Sequence, residues 1–176
     1  RTLETNDRIL ALAASADEQI RALNDKSNVL LNGAGALQEL PRDKWPPGLQ
    51  SKYDLSKPIP LAIEFKREIE KRFPDRPEAA EAVLEIGNIQ AQRQNDFVAA
   101  VKTYEEVIER FSRLAGVATR ARREIDGIKA PGLMLTIIDI TLPGSKVKYH
   151  WSARNVATFD VKAYPIDLAE LLHKKE

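Results

Sequence analysis

The chain has 176 residues, enough for one domain with an ordinary core or for one domain and part of another. Its 27 basic and 26 acidic residues give a formal charge of +1, so no global field favours nucleic acid or an anionic membrane. The absence of cysteine excludes disulfides, thiolate catalysis and cysteine zinc sites in this stretch. No apolar run approaches the roughly 20 residues of a membrane-spanning helix, so we expect no nucleic-acid binding and no membrane insertion.

The N-terminal residues, 1–40, are predicted to form helices. Over the first twenty-odd residues, apolar side chains recur at helical spacing and indicate one amphipathic helix, for which Thr5 or Asn6 is available as the cap. Its apolar positions are Ile9, Leu12, Ala13, Ala16, Ile20 and Leu23. A second apolar set from Ser27 onwards predicts a weaker helix, because two glycines inside it each cost about 1 kcal/mol relative to alanine.

Residues 41–60 are predicted to form a proline-rich linker or a long ordered loop. Five prolines interrupt any helix here and push the preceding residues toward extended geometry. Trp45 precedes a pair of these prolines and has two interpretations. It could be a ligand for a proline-recognising groove, or an aromatic plug that holds the loop against the helices, which is the usual fate of a large aromatic side chain.

Residues 61–130 carry the strongest helical pattern. The segment Ala62–Phe73 is echoed by Ala100–Phe111, so that the two copies lie 38 residues apart. A self-similar helical unit of this length is typical of repeat proteins, in which each helical pair buries its apolar face against its neighbours. Between the copies, Asp75 can cap a helix and Pro77 is tolerated in its first turn. The pattern therefore predicts antiparallel helical hairpins.

The period of the pattern changes in residues 131–176. The segment from Leu133 to Ile138 is apolar at alternate positions on both faces, as expected of a strand that is covered on two sides. Lys146–Trp151 and Thr158–Ala163 alternate strictly between apolar and polar residues. We therefore predict three strands that belong to a partial β-sandwich, because such a ribbon cannot bury itself, and a short helix over Ile166–His173. The predicted fold class is mainly α with this small three-stranded β segment.

The helical region resembles the tetratricopeptide repeat family. The residues that carry the resemblance are Ile86-Gly87, Asn95-Asp96-Phe97, Ala100, Tyr104 and Pro74. They take the places of the family's leucine-glycine pair, its turn, the small and aromatic residues of its second helix, and its terminal proline. Ser112 replaces the final proline, and Gln90 stands where an aromatic residue is common. About one and a half repeats are visible.

The matched residues have a clear physical role. Gly87 and Ala100 allow two helix backbones to approach closely, because their side chains are small or missing. Phe97, Tyr104 and Phe111 are expected to fill the space between the helices. These positions are therefore structural.

The resemblance also implies a ligand groove on the inner face of the first helix of the complete repeat. The family's groove positions fall on Glu81, Leu84, Asn88, Ala91 and Gln92. Asn88 and Gln92 are the best candidates because amides can hydrogen-bond to the backbone of an extended peptide. Glu81, Asn88 and Gln92 form the predicted partner-binding groove. The alternative is that this face packs against a neighbouring domain.

The C-terminal stretch resembles the first macroglobulin-type β-sandwich of bacterial alpha-2-macroglobulin-like proteins. The residues that carry this resemblance, over about 40 positions, are Pro143-Gly144, Arg154-Asn155-Val156 and Tyr164–Leu168. It implies protease trapping, through a bait region and often a thioester. Without cysteine the thioester is absent from this stretch, and no bait segment can be assigned. The resemblances together imply a periplasmic, envelope-associated or secreted protein.

The sequence carries no recognisable catalytic pattern. His150 and His173 lie on different predicted elements, and no His, Asp or Glu spacing suggests zinc or iron ligation. Phosphate-binding loops, nucleophile elbows and Ser-His-Asp order are also missing. We therefore predict no enzymatic activity, no metal and no cofactor.

Three functions remain compatible with these patterns. The first is a non-catalytic helical-repeat interaction or scaffold region of a larger envelope or secreted protein, with a protein or peptide as its partner. The second is the N-terminal region of an alpha-2-macroglobulin-like protease inhibitor, and the third is a peptide-binding adaptor. The chain begins at Arg1 and ends at Glu176, and we expect it to be an excerpt from a longer protein.

Overall fold

A computed structural model of the chain describes residues 3–38, 56–137, 146–162 and 164. The chain divides into two units, residues 1–128 and 129–176, and each is described by itself. Over the described ranges the elements are, in order, α1 (Leu3–Leu12), α2 (Ala16–Gln38), α3 (Pro58–Arg72), α4 (Pro77–Arg93), α5 (Phe97–Arg110), α6 (Ala115–Lys129), β1 (Gly132–Ile137) and β2 (Tyr149–Arg154). The fold is therefore mainly helical, as predicted, with a small antiparallel sheet after the helices.

The N-terminal residues form two helices where one was predicted. A capping box separates them: the Ser15 hydroxyl accepts a hydrogen bond from the Glu18 backbone N–H at 3.2 Å, and the Glu18 carboxylate accepts one from the Ser15 backbone N–H at 3.2 Å. These contacts, together with a hydrogen bond from the Ala14 backbone, lower the pKa of Glu18. The prediction of one helix capped at Thr5 or Asn6 was wrong, because α1 already begins before these residues and the capping box starts α2.

Helix α2 continues without a break, so the separate helix predicted from Ser27 is wrong and this residue lies inside α2. Ser27 and Asn6 are both buried, and their polar side-chain atoms form no hydrogen bond among the described residues. Nearby on the same two helices, the buried Lys26 ammonium donates to the Asp7 carboxylate at 2.9 Å and lies 3.9 Å from the centre of the Phe65 ring. Helix α2 is therefore continuous through Ser27, where the sequence pattern predicted the start of a separate helix, because packing against α1 and α3 stabilises it.

Helix α3 begins inside the stretch predicted to be a linker. Its first residue is Pro58, which is tolerated there because the first N–H groups of a helix have no intrahelical partner. The predicted 41–60 linker is therefore shorter at its C-terminal end. Trp45 lies outside the described residues.

The next two helices begin in different ways. Helix α4 begins at Pro77, and its cap is Arg76 without a side-chain hydrogen bond, so the prediction that Asp75 caps it was wrong. Helix α5 is capped by Asp96, whose carboxylate accepts a hydrogen bond from the Ala99 backbone N–H at 2.9 Å. A proline fixes the first start and a side-chain cap fixes the second.

The two copies of the repeated segment are helices α3 and α5, and they lie side by side. Arg67 on α3 pairs with Glu106 on α5 at 3.1 Å, and Glu70 on α3 pairs with Arg110 on α5. Because both pairs join residues about one repeat apart, α3 and α5 run in the same direction. Each is packed against α4, which lies between them in the chain. Helices α3, α4 and α5 therefore pack against one another in chain order.

Two apolar cores hold the helical unit together, and α4 contributes to both. The core formed by α4, α5 and α6 consists of Ala79, Ala80, Val83, Leu84, Ala100, Tyr104, Val107, Phe111, Ala121 and Ile125. The core formed mainly by α1, α2 and α3 consists of Leu3, Ile20, Leu23, Leu30, Ala62, Phe65, Ile69 and Ala82. Ala82 is the α4 residue of the second core. Helix α4 is thus covered on two sides, which leaves it few exposed positions.

The predicted close approach at Gly87 is confirmed. A Cβ atom at this position would lie 2.4 Å from Cε1 of Tyr104, far inside van der Waals contact. Ala100, Tyr104 and Phe111 are buried as expected. Phe97 does not fill the space between helices as predicted, because it is the first residue of α5 and its side chain is 37% exposed.

In the second unit, β1 and β2 form a two-stranded antiparallel sheet in which Leu135 pairs with Trp151. The third predicted strand is not confirmed, since residues 158–162 have no regular secondary structure and Ala163 lies outside the described residues. The short helix predicted over 166–173 also lies outside them. The prediction that β1 is covered on both faces was wrong within the described residues, where its leucine and methionine side chains are more than half exposed.

Candidate partner-binding face

Four polar residues of α4 lie in a line along the helix. Eight of its 17 residues are buried, and these four, spaced by three or four residues, are not. We call them the α4 row: Glu81, Glu85, Asn88 and Gln92. This spacing places them on one face of a helix. The row contains all three residues of the predicted partner-binding groove.

Glu81 at the start of the row is occupied by an ion pair. Nη1 of Arg120 on α6 lies 2.8 Å from each carboxylate oxygen of Glu81, and both side chains are half exposed. An exposed pair of this kind contributes little stability. The pair shows instead that α6 lies beside α4 at this position.

Asn88 in the middle of the row is held by an internal hydrogen bond. Its Oδ1 accepts from the Tyr104 hydroxyl at 2.8 Å. Burial, reinforced by the charge of Glu124, raises the pKa of Tyr104 to about 12, so the hydroxyl keeps its proton at neutral pH. Asn88 is therefore oriented by the core, with its amide nitrogen left as a donor at the half-buried surface.

The other groove positions separate into exposed and enclosed residues. Gln92, at the C-terminal end of the row, is exposed. Leu84 is fully buried and Ala91 packs against the same core, so neither is available to a ligand. Of the five positions that the resemblance implies, the structure therefore leaves only the polar ones near the surface.

Glu85 was not among the residues predicted from the sequence, although it lies four residues after Glu81. Lys66 on α3, whose side chain is only 2% exposed, forms an ion pair with the Glu85 carboxylate. The same ammonium donates to Oδ1 of Asn24 on α2 at 2.8 Å. A single buried lysine thus joins α2, α3 and α4. The helical spacing of the acidic residues was the signal that could have found this position.

Helix α2 carries a row that matches that of α4 at three of its four positions, the exception being Arg21 in place of Glu85. We call it the α2 row: Asp17, Arg21, Asn24 and Asn28. Its members lie 64 residues before Glu81, Glu85, Asn88 and Gln92, in the same order. Both rows begin with a carboxylate and end with two amides. Because Lys66 hydrogen-bonds to Asn24 and pairs with Glu85, the two rows lie next to each other on the helical unit.

The outer ends of the two rows are open to solvent. Asn28 and Gln92 are both exposed, and each amide can donate and accept a hydrogen bond at the same time. The carboxylates at the other ends are each engaged by an arginine, Asp17 by Arg76 and Glu81 by Arg120. The paired rows therefore offer neutral hydrogen-bonding groups on a surface without strong net charge.

The described residues offer no metal-binding alternative to this face. Within 3–38, 56–137, 146–162 and 164, no group of three or more His, Asp or Glu side chains could hold a metal ion. His150 lies exposed on β2, and His173 is outside the described residues. None of the helices over these ranges is both long enough and apolar enough to cross a membrane.

Known proteins give no independent indication of function. Comparison of the chain with protein-family models, with curated proteins and with solved structures found no match. The arrangement of the two rows is therefore the basis on which a function is proposed.

Proposed function

We propose that this chain is a non-catalytic helical-repeat interaction module of a larger envelope-associated or secreted protein, and that it binds a protein or peptide along the α2 and α4 rows. The observation that carries the proposal is the match between the rows. At an offset of 64 residues, α2 and α4 each carry a carboxylate at the first row position and amides at the third and fourth, on neighbouring surfaces. A repeated surface of this kind favours a ligand that extends across several helices.

The repeat also supports the assignment to tetratricopeptide-like hairpins. Lys66 and Tyr104 lie 38 residues apart, in α3 and α5, and each reaches an asparagine on the preceding helix. Helices α2 and α3 therefore form one hairpin, and α4 and α5 form a second that is built in the same way. The proposal extends the resemblance from about one and a half repeats to two hairpins and the helix α6.

The chemistry of the rows favours an extended peptide over a small molecule. An extended backbone presents N–H and C=O groups at intervals of about 3.3 Å per residue, and side-chain amides can pair with both. Asn28 and Gln92 supply such amides at the surface, and Asn88 is pre-oriented by Tyr104. Pre-orientation lowers the entropy lost on binding. A peptide-binding adaptor is the specific form of this function.

The proposal is tested by titrating a library of extended peptides into the chain and following backbone and side-chain amide signals by NMR. We expect the side chains of Asn28 and Gln92 to shift, and the paired substitutions Asn28→Ala and Gln92→Ala to weaken binding. Gln94→Ala is the matched control, because Gln94 is exposed just after α4 but is not part of the row. Binding that ignores the rows would contradict the proposal, as would a hydrolytic or transfer activity abolished by one polar substitution.

A second candidate function is supported by the sheet. The β1–β2 sheet exposes large apolar side chains within the described residues, including Trp151 at 55%. Such a face requires further strands, as in the first macroglobulin-type sandwich of an alpha-2-macroglobulin-like protease inhibitor. The open reading frame on both sides of these residues tests this candidate. Further sandwich domains and a bait segment would support it, whereas an unrelated catalytic domain would contradict it.

A further inference from the structure

We propose that the outer edge of β2 binds an extended strand of a partner protein in which apolar and acidic residues alternate. The ribbon formed by β1 and by residues 146–154 has two chemically different faces. Strand register places four large apolar side chains on one of them: Leu133, Leu135, Tyr149 and Trp151. Each is about half exposed. Phe159 meets the Trp151 ring edge-to-face with the centroids 4.8 Å apart and leaves the rest of that face open.

The opposite face of the ribbon carries its basic groups. His150 and Arg154 lie on this face in β2, and Lys148 lies just before β2. Across from them on β1, the same face carries Thr136 and the exposed Met134. The ribbon residues contain no aspartate or glutamate, whereas the whole chain has 26 acidic residues against 27 basic ones. The ribbon itself therefore supplies no acidic side chain that could pair with its basic groups.

The placement of the two faces decides between classes of partner. A membrane surface requires apolar and basic groups that point to the same side. Single-stranded nucleic acid uses aromatic stacking and basic groups along one groove. On this ribbon the aromatic and basic groups point to opposite sides. An added strand is different, because its alternate side chains lie on both faces of the sheet at once.

The outer edge of β2 is the place where such a strand fits. Among the described residues β2 pairs with β1 only, so the edge over residues 149–153 offers backbone hydrogen-bonding groups to a further strand. Directly paired side chains on neighbouring strands lie roughly 4.5–5.5 Å apart. Apolar residues of the added strand would extend the face of Trp151, and its acidic residues would lie beside Lys148 and His150. A third strand would also stabilise a ribbon that is marginal in water by itself.

The test uses the whole chain with Trp45→Phe, which leaves Trp151 as the single tryptophan. The probe is a synthetic peptide of alternating valine and glutamate, compared with a valine-lysine peptide and with a peptide of the same composition in which valines and glutamates form two blocks. We expect only the alternating valine-glutamate peptide to change Trp151 fluorescence and to protect the amides of residues 149–153 from hydrogen exchange. A single-stranded oligonucleotide is the probe for the competing class of partner.

Substitutions separate charge complementarity from non-specific binding. Lys148→Glu should weaken binding of the valine-glutamate peptide by about five-fold or more, because a favourable cross-strand pair becomes unfavourable. Lys162→Glu is the matched control, since Lys162 is exposed in the same unit but outside the ribbon. Circular dichroism and a melting curve establish that both variants are folded.

Three outcomes would overturn the inference: no binding of the alternating peptide, equal binding of the block or valine-lysine peptide, or tighter binding of the oligonucleotide. The inference is independent of the proposed function of the helical unit. A peptide that binds the α2 and α4 rows should shift the side-chain amide signals of Asn28 and Gln92 without changing Trp151 fluorescence, so failure at the sheet and failure at the rows are distinguishable.

Discussion

The two proposed helical hairpins, α2–α3 and α4–α5, solve the same packing problem with different residues. In the second hairpin, Tyr104 crosses to Asn88 and its ring lies on the bare backbone of Gly87. In the first, Lys66 crosses to Asn24, and the residue before this asparagine is the buried Leu23. The tyrosine ring needs the space that glycine leaves, whereas the narrower lysine side chain reaches Asn24 although the preceding residue is a leucine.

The comparison shows that both helix pairs have a side chain that hydrogen-bonds to an asparagine of the preceding helix, although the residue types that form this contact differ. Within this one chain, position 66 and position 104 share burial and a polar end that reaches an amide. Lys66 places a positive charge in the interior, and the carboxylate of Glu85 forms an ion pair with it. Tyrosine brings no charge and needs only the amide. Lys66 therefore also ties α3 to α4 by an ion pair, whereas the Tyr104 hydroxyl forms its hydrogen bond to Asn88.

The largest effect on this comparison is expected from Gly87→Ala. The new Cβ would lie 2.4 Å from Cε1 of Tyr104, so either the ring or the α4 backbone must move. Overpacking of this kind should lower the free energy of unfolding by about 2 to 3 kcal/mol, measured by denaturant titration. Gly116→Ala is the control, because no atom outside its own backbone lies within 4 Å of a Cβ there. Equal losses for the two variants would contradict the close approach.

Lys66→Met tests the ion pair of the first hairpin. Methionine keeps most of the buried stem but leaves Asn24 and Glu85 without the ammonium. We expect a loss of about 1 to 2 kcal/mol in the free energy of unfolding, because Glu85 is partly exposed and can be solvated. Double substitution with Glu85→Gln should cost less than the sum of the single changes. Additive losses would show that the pair does not couple α3 to α4.

Tyr104→Phe tests the corresponding contact of the second hairpin. The ring is retained beside Gly87, and only the hydrogen bond to Asn88 is lost. The expected loss is about 1 kcal/mol, smaller than for Lys66→Met because no charge is involved. The Asn88 side-chain amide signals should broaden or shift in the NMR spectrum as its orientation is released. A loss larger than that of Lys66→Met would reverse the comparison between the hairpins.

The smallest expected effect is a pH dependence of the pairs that join α3 to α5. Burial raises the pKa of Glu70, but hydrogen bonds from Arg67 and Arg110 outweigh it and hold the pKa below its ordinary value of 4.5. A depressed pKa in the folded state means that the stabilisation is present above the unfolded pKa and is lost as the pH falls through the folded pKa.

We therefore expect Glu70→Gln to reduce the loss of stability on acidification below about pH 4.5, relative to the unsubstituted chain, by less than about 1 kcal/mol. Urea titrations at a series of acidic pH values measure this difference. Glu109→Gln is the control, because Glu109 is exposed on α5 outside these pairs. The same acid response in both variants would exclude a special contribution from Glu70.

Much of the helical unit could be predicted from the sequence because its signals are local. Apolar spacing placed α3 to α6, and the repeated segment placed α3 and α5 in equivalent roles. The Ser15–Glu18 capping box was equally local, but the continuous apolar pattern around it concealed the break between α1 and α2. The sheet was harder, since the pairing of strands depends on contacts between distant residues.

The candidate site divides in the same way. Glu81, Asn88 and Gln92 follow from helical spacing and the repeat resemblance, so the sequence by itself determined one polar row and the helix that carries it. Only the tertiary structure decided that Leu84 is enclosed, that Asn88 is held by Tyr104, and that a second row lies beside the first. The physical reason is that helical periodicity is written in neighbouring residues, whereas burial and the bridging contact of Lys66 depend on which helices pack together.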